Sequence, residues 1–201
     1  MNLREHDQRE DMKVWLSADE VDRLLAHVEE DTNHWLALSL AARCGLRSEE
    51  VTQVTPNDVK NTDAGPMLIV REGKGDKYRE TPIPPGLKMS IDSAAQYRPE
   101  PDDHPVVTSR SDTAGVTTRT LRRWMKDARE ELAQLEDDRW RHLTMHDLRR
   151  TWATHLKSED VDALLVCDWG GWEDLETFLN AYRGTFTPEA QKREREKVEW
   201  L

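Results

Sequence analysis

The chain has 201 residues, of which 36% are hydrophobic and 34% are charged, a composition that suits one domain with a modest core. No apolar stretch approaches the ~20 residues of a membrane-spanning helix, and the N-terminus lacks the pattern of a secretory signal, so we expect a cytoplasmic protein that does not contact membranes. The two cysteines, Cys44 and Cys167, match no metal-binding spacing and are expected to be buried free thiols.

The charge balance is acidic, with 40 acidic and 29 basic residues and a net charge of -11. Arginine outnumbers lysine by 20 to 9. An acidic surface with few lysines fits a high-salt cytoplasm, although an ordinary acidic protein would have the same composition. A net negative charge also argues against a nucleic-acid binder that is basic all over. The positions of the basic residues therefore matter more than their number.

The N-terminal part of the chain predicts a tail followed by short helices. Residues 1–14 are polar and predict a flexible tail. Ser17, with Glu20 three positions later, forms a capping box that should begin the first helix. A second helix is expected over about 35–44, ended by a glycine, and a short third one over about 47–54.

The middle of the chain changes from helical to extended patterns. Residues 67–70 form a β-type run, residues 72–77 form a glycine-rich basic turn, and residues 78–83 resume an extended pattern. This order predicts an antiparallel β-hairpin with a basic tip. Residues 98–115 are expected to be mostly loop.

The C-terminal half returns to helical periodicity. A long amphipathic helix is expected over 117–135, and three shorter ones over 145–157, 161–169 and 173–182. The predicted fold is therefore mainly α (α+β), a helical bundle with one small antiparallel β-hairpin or sheet.

The stretch 145–156, which begins M-H-D-L-R-R-T-W, carries the strongest chemical signal. His146 and Arg149 are three residues apart and project side by side on a helix. Arginine supplies a permanent, planar positive charge and histidine can donate or accept a proton, so the pair suits an oxyanion. Taken alone, the pair also fits an ordinary solvated helix face.

The complete stretch 145–156 resembles the signature of the tyrosine recombinases, also called phage-type integrases. Four further features occur in the order that this family shows. Arg47 in C-G-L-R-S-E-E resembles the first arginine motif, and Lys74 in G-K-G-D-K resembles the hairpin lysine. Trp172 follows a glycine as in the family's G-H or G-W pair, and Tyr182 lies where the nucleophile is expected.

Each of these residues also fits a purely structural role when taken alone. Arg47 could be a helix-terminal cation and Lys74 a solvated turn residue, while Trp172 and Tyr182 could be core aromatics. Their occurrence together, in order and at plausible spacings, makes the resemblance specific. It covers residues 15–184, the expected catalytic domain.

The resemblance implies a site-specific recombinase that cleaves and rejoins double-stranded DNA through a 3′-phosphotyrosyl intermediate, with no metal, ATP or other cofactor. Tyr182 would be the nucleophile and Lys74 the general acid. Four residues would bind the phosphate and stabilise its transition state: Arg47, His146, Arg149 and Trp172. Glu50 would support Arg47. Integration, excision or inversion of a mobile element is the expected process.

A further set of basic residues is expected to bind the DNA backbone: Lys77, Arg79, Arg119, Arg122, Arg123 and Arg150. Basic residues concentrate between positions 119 and 157, whereas acidic ones concentrate in 1–31 and 49–63. This distribution predicts a surface that is basic on the DNA side and acidic behind. The alternative is an ordinary solvated helix face with mixed charges.

Residues 185–201 predict a charged helical tail. In the family, such a tail docks onto a neighbouring protomer, which implies a homotetramer on DNA and a monomer or weak oligomer in its absence. Val198, Trp200 and Leu201 would be the apolar anchors. Packing of the tail on its own domain is the alternative. A DNA-bending accessory protein is a further expected partner.

Two other functions share most of these residues. A type IB topoisomerase would relax DNA at any sequence without exchanging partners. A catalytically silent DNA-binding regulator could retain the fold alone. The short chain and the complete residue set favour the recombinase.

Overall fold

A computed structural model describes residues 1–5, 12–71, 78–97, 102–109, 114–182 and 188–200. The described helices are α1 (Ala18–His27), α2 (Thr32–Cys44), α3 (Ser48–Val51), α4 (Pro85–Gln96), α5 (Thr118–Leu135), α6 (Met145–Ser158), α7 (Ala163–Gly170), α8 (Leu175–Tyr182) and α9 (Pro188–Glu196). The strands are β1 (Asn2–Glu5), β2 (Met12–Trp15), β3 (Val59–Thr62), β4 (Gly65–Val70) and β5 (Arg79–Pro82). The prediction of a mainly helical fold with a small antiparallel sheet is confirmed, and the pair β1 and β2 forms a second sheet that was not predicted.

Helix α2 forms the centre of the main core. Its apolar residues point in all directions, and the segment from Leu36 to Ala42 is buried along its whole length. A helix that is apolar all round must be covered on every side. Helices α1, α4, α5 and α6 provide that cover, and the contact with α6 is the most extensive.

A second, smaller core lies between α6, α7 and α8. It is built from Trp152, Val166, Cys167 and Phe178, with Trp172 packed against it. Gly45, the glycine that ends α2, has a left-handed φ of 67°. A Cβ at Gly45 would lie 2.2 Å from the Trp152 ring, so the position requires glycine both for conformation and for space.

Strands β3, β4 and β5 form an antiparallel sheet in that order. The predicted hairpin is β4 paired with β5, with Val70 opposite Arg79. Strand β3 was not predicted, because its sequence V-K-N-T is polar and largely exposed at the sheet edge. The predicted basic tip, 72–77, lies outside the described residues.

The prediction that residues 1–14 form a flexible tail is wrong for the described part. Strands β1 and β2 pair with each other in antiparallel register, and Val14 is fully buried. The Val14 N–H donates to Asp147 Oδ1 at 3.1 Å, and the Leu16 N–H donates to Thr151 Oγ1 at 3.1 Å. These acceptors lie more than 130 residues away, so the anchoring of this segment to α6 is not visible in its local composition.

Other predicted elements agree with the structure to within about three residues. The capping box of Ser17 and Glu20 is present at the start of α1, and both cysteines are buried free thiols. Helix α4 was not predicted; it begins at Pro85, which is tolerated in the first turn of a helix. None of the helices in the described ranges is long and apolar enough to cross a membrane.

Candidate active site

The first turn of α6 presents the histidine of the signature. Asp147 accepts hydrogen bonds from the backbone N–H (2.9 Å) and the hydroxyl (2.6 Å) of Thr144, which closes a capping box. The helix therefore begins at Met145 and places exposed His146 in its first turn. The N-terminal end of a helix carries a partial positive charge, which suits an anion at this position.

Arg149 lies one turn further along α6 and is held in one orientation. It is only 2% exposed. One terminal nitrogen donates to the Gly45 carbonyl and the other to the Gly170 carbonyl, both at 2.6 Å. Its guanidinium carbon lies 4.2 Å from the centre of the Trp172 ring, a cation–π distance. The residue thus connects the ends of α2 and α7.

Arg47 lies between α2 and α3, on the same side of the molecule. Its side chain is 24% exposed. One terminal nitrogen donates to Glu50 Oε1 at 2.7 Å, and the other donates to the Gly171 carbonyl at 3.2 Å. Arg47 and Arg149 are therefore bound to consecutive carbonyl groups, those of Gly171 and Gly170.

Glu50 is a buried carboxylate shared between two arginines. It accepts the backbone N–H of Arg47 at 2.7 Å as well as the Arg47 side chain. Arg79 donates one terminal nitrogen to each carboxylate oxygen, at 2.8 and 2.7 Å. Burial by itself would raise the pKa of Glu50, but the hydrogen bonds and charges of Arg79 and Arg47 outweigh it and hold that pKa at about 2. Glu50 is therefore ionised at neutral pH.

The predicted role of Arg79 in DNA binding does not agree with its burial in the structure. It is 7% exposed and its guanidinium is occupied by Glu50 and the Trp169 carbonyl. Arg150 is similarly engaged, since it forms an ion pair with Asp147 and lies over the Trp15 ring at 5.3 Å. Its burial leaves Arg79 little surface for DNA, whereas Arg150, although paired, also lines the cleft described below.

Trp172 packs against three neighbours at the end of α7. Its ring is stacked on Trp152 at 6.4 Å, meets Phe178 edge-on at 5.0 Å and covers Arg149. A Cβ at Gly170 would lie 1.7 Å from the Trp172 ring, so the close approach depends on glycine. Phe178 belongs to α8, and the backbone of α8 ends at Tyr182, one turn further on.

Three predicted site residues lie wholly or partly outside the described residues. Lys74 and Lys77 fall in the segment 72–77, outside the described residues, and the side chain of Tyr182 is likewise outside them. The flanking strands are paired at Val70 and Arg79, so the backbone of the hairpin leads into and out of this segment.

A cleft of about 710 Å³ runs between α5 and α6 and includes the arginine site. Seven basic residues line it: Arg47, Arg122, Lys126, Arg129, His146, Arg149 and Arg150. Lys126 and Arg129 were not among the predicted DNA-binding residues, although both share the helix of Arg122. Arg119 and Arg123, which were selected, are exposed on α5 but do not line the cleft.

Comparisons with known proteins agree with this geometry. Residues 14–187 match the model of the phage integrase family. The chain is 30% identical over 168 residues to the tyrosine recombinase XerA of Thermococcus kodakarensis, covering 81% of this chain and 55% of that protein. It is 28% identical over 169 residues to a tyrosine recombinase of Thermosipho africanus, covering 81% of this chain and 54% of that protein.

Solved structures share the fold at lower identity. The crystal structure of XerA recombinase matches with a TM-score of 0.74 at 22% identity, covering 92% of this chain and 65% of the other. The integrase of transposon Tn1549, in complex with transposon right-end DNA, matches with a TM-score of 0.73 at 16% identity, covering 96% and 68%. The chain spans about half the length of the curated relatives it matches, and it belongs to the phage integrase family.

Proposed function

We propose that this protein is a site-specific recombinase that breaks and rejoins double-stranded DNA through a covalent tyrosine intermediate. The observation that carries the proposal is the binding of Arg47 and Arg149 to the adjacent carbonyls of Gly171 and Gly170. This arrangement holds two permanent positive charges at one end of a basic cleft, where a phosphate could bind.

The proposed reaction is a transfer of a DNA phosphoryl group to Tyr182. The phenol oxygen attacks phosphorus, and its proton passes to His146. Negative charge accumulates on the non-bridging oxygens and is stabilised by Arg47 and Arg149, with Trp172 completing the pocket. The bond to the 5′-oxygen breaks, and Lys74 protonates this leaving group.

The product is a 3′-phosphotyrosyl bond and a free 5′-hydroxyl. The covalent bond replaces the phosphodiester that was broken, so attack by a 5′-hydroxyl restores the DNA backbone without ATP. The proposed chemistry requires no metal because the arginines supply the positive charge. Attack by the hydroxyl of a different DNA strand would give recombination of a mobile element.

DNA binding would use the basic cleft of an otherwise acidic chain. Arg122 and Lys126 are exposed on its α5 wall. Lys126 also forms a 3.7 Å pair with Glu130, which reduces the charge available to phosphate. Since salt weakens phosphate contacts steeply, a high-salt cytoplasm would require additional binding through shape or through protein partners such as a DNA-bending protein.

Assembly into a tetramer on DNA would use the C-terminal segment. Helix α9 contacts its own domain, since Ala190 is buried and Arg193 pairs with Asp160 at 3.0 Å. Beyond α9, Trp200 is 83% exposed. We expect deletion of residues 197–201 to leave the monomer folded and to abolish cooperative assembly on DNA, measured by sedimentation. Unchanged assembly would contradict this role.

Covalent trapping tests the proposed function. The wild type and Tyr182→Phe are expressed in a salt-matched host, the cells are denatured rapidly, and DNA attached to protein is sequenced. Attachment by the wild type only, at one short site, is the expected result. Scattered attachment would indicate a topoisomerase. Equal background from both proteins would contradict a DNA-cleaving function and favour a silent regulator.

A further inference from the structure

Arg79 lies at the point where three parts of the candidate active site meet. Its two terminal nitrogens bind the two oxygens of Glu50, and Glu50 in turn binds both the backbone and the side chain of Arg47. The carboxylate therefore joins the two guanidinium groups. Glu50 and Arg79 are both buried, so this cluster is shielded from water and its geometry matters more than that of a surface pair.

Arg79 also supports the turn that holds the arginines. Its Nε donates to the Trp169 carbonyl at 2.9 Å. A Cβ at Gly171 would lie 2.8 Å from Arg79 Cδ, which shows how closely the side chain packs beneath this turn. The next two carbonyls, those of Gly170 and Gly171, accept Arg149 and Arg47.

We infer that Arg79 is a positioning residue for the two arginines of the site, acting on Arg47 through Glu50 and on Arg149 through the turn at 169–171. The inference rests on the proposed function, because it assigns Arg79 to the preparation of the same phosphate site. Arg79 makes no contact with the reacting atoms in this role.

The physical reason lies in the number of donors around Glu50. With Arg79 present, each carboxylate oxygen receives one hydrogen bond from Arg79 and one from Arg47. Without Arg79, the buried carboxylate would lose half of these donors, and a buried charge with too few partners is costly. Glu50 would then reorient or take up a proton, and Arg47 would lose its fixed position.

The place of Arg79 in the chain adds a second consequence. Arg79 is the first residue of β5, the strand that follows the segment 72–77 with Lys74. A displacement of β5 would therefore move Arg79, and with it the Glu50 carboxylate that holds Arg47. Strand β5 therefore both follows the segment with Lys74 and carries Arg79, the residue that supports Arg47 and Arg149.

The first test needs no DNA. The side-chain Nε–H signal of Arg47, assigned by its disappearance in Arg47→Lys, is followed by NMR in the wild type, Arg79→Met and Arg79→Lys. We expect an ordered signal in the wild type and increased mobility in both variants, because lysine cannot form the two-pronged bond to Glu50. If Arg79→Met does not fold, Arg79→Lys retains the charge, and the Arg47 signal in that variant tests the inference. An unchanged Arg47 signal would overturn the inference.

Arg71 provides the matched control. It follows the last residue of β4, on the other side of the hairpin; its side chain is 62% exposed, and it pairs with Asp58 at 2.7 Å rather than with Glu50. Arg71→Met removes the same charge from the hairpin and should leave the Arg47 signal unchanged. A change as large as that in Arg79→Met would show a general effect of charge and overturn the inference.

The second test uses the DNA site recovered by covalent trapping. Arg79→Met should lower the rate of adduct formation by about 10- to 100-fold, since a displacement of about 1 Å in an active site costs up to that much. In an Arg47→Ala background the same change should cost clearly less, because one of the two arginines that Arg79 positions is gone. Equal cost in both backgrounds would contradict the inference. If the wild type forms no adduct, the proposed function fails, and the NMR result still decides the role of Arg79.

Discussion

The guanidinium of Arg149 donates a 2.6 Å hydrogen bond to the carbonyl of Gly45, which lies 104 residues earlier in the chain. Gly45 ends α2 and is followed two residues later by Arg47, so this bond connects the two arginine motifs. The other terminal nitrogen of Arg149 binds Gly170, next to the turn that leads to Trp172. A single buried side chain thus aligns three segments that are far apart in sequence.

Replacing Arg149 with lysine should abolish this alignment while retaining the charge. A lysine has one ammonium group and no planar fork, so it cannot hold both carbonyls and cover Trp172. We expect the rate of adduct formation on the recovered DNA site to fall by ~100- to 1000-fold. DNA affinity should change by less than that. Arg122→Lys, on the exposed wall of the cleft, is the control. A loss of similar size there would show that any arginine-to-lysine change in the cleft slows the reaction, and would contradict the role of the Arg149 hydrogen bonds.

A second prediction concerns the close approach of Gly170 to Trp172. Gly170→Ala places a methyl group 1.7 Å from a ring atom of Trp172. Overpacking of this kind costs about 1–3 kcal/mol, and it moves the ring that covers Arg149. We expect lower thermal stability and slower adduct formation, measured by calorimetry and by the trapping assay.

Gly86→Ala is the matched control for that substitution. Gly86 lies in the first turn of α4, and a Cβ there meets nothing within 4 Å. Alanine is the better helix former by about 1 kcal/mol, so this variant should be neutral or stabilised. Equal losses in the two variants would contradict the steric explanation.

The N-terminal strand provides a third prediction. Thr151 Oγ1 is fully buried in α6 and accepts the Leu16 N–H at 3.1 Å. Thr151→Val keeps the shape and removes the acceptor, which leaves a buried N–H without a partner and costs about 1–3 kcal/mol. Urea unfolding should show this loss.

Thr154, three residues further along α6, is the control. It is 4% exposed, and its hydroxyl has no hydrogen-bond partner among the described residues. Thr154→Val should therefore be neutral or stabilising, since it removes an unpaired buried polar group. If Thr151→Val were equally harmless, the bond from Leu16 to Thr151 would contribute little to stability.

A fourth prediction follows from the pKa of Glu50, which the arginines hold at about 2 against an ordinary value of 4.5. A lowered folded-state pKa means that the ionised form stabilises the fold above pH 4.5 and that this contribution disappears as the pH falls toward 2. The contribution at neutral pH is about 3 kcal/mol from the size of the shift.

The measurement compares the unfolding free energies of the wild type and Glu50→Gln across pH. Other carboxylates titrate equally in both proteins, so the difference isolates Glu50. We expect the wild type to have a larger unfolding free energy than Glu50→Gln at pH 7. This difference should shrink progressively as the pH falls from about 5 to about 2. A difference that did not vary over this range would show that Glu50 has the same pKa in the folded and the unfolded protein, and one that shrank with rising pH would show a raised pKa; either result would contradict the prediction.

Motif spacing was sufficient to predict much of the candidate site. Arg47, His146 and Arg149 line one cleft, and Trp172 packs on Arg149, which agrees with the grouping that the resemblance to the tyrosine recombinases implies. The same signals could not identify Arg79 as a buried partner of Glu50. In the sequence it follows a basic turn, where an exposed side chain is the ordinary expectation.

The elements of the fold also divide into those that local sequence predicted and those that it did not. Capping residues and helical periodicity predicted α1, α5 and α6 closely, since both depend on residues within one or two turns. Strand β2 escaped prediction because β1 and β2 are only four residues long each, which is too short to show a clear alternation. Their anchoring to α6 was not visible either, since Val14 donates to Asp147, 133 residues away.

The sequence by itself indicated the family, most of the helices in their order and the residues that we propose to form a phosphate site. Only the tertiary structure decided which arginines are buried and which face the cleft. Arg79 and Arg122 are the same residue type in similarly charged surroundings, yet one is 7% exposed and the other lies on the surface of α5. The difference arises because a guanidinium can be buried only where carboxylates and carbonyls converge on it, and that convergence involves segments that meet only when the chain folds.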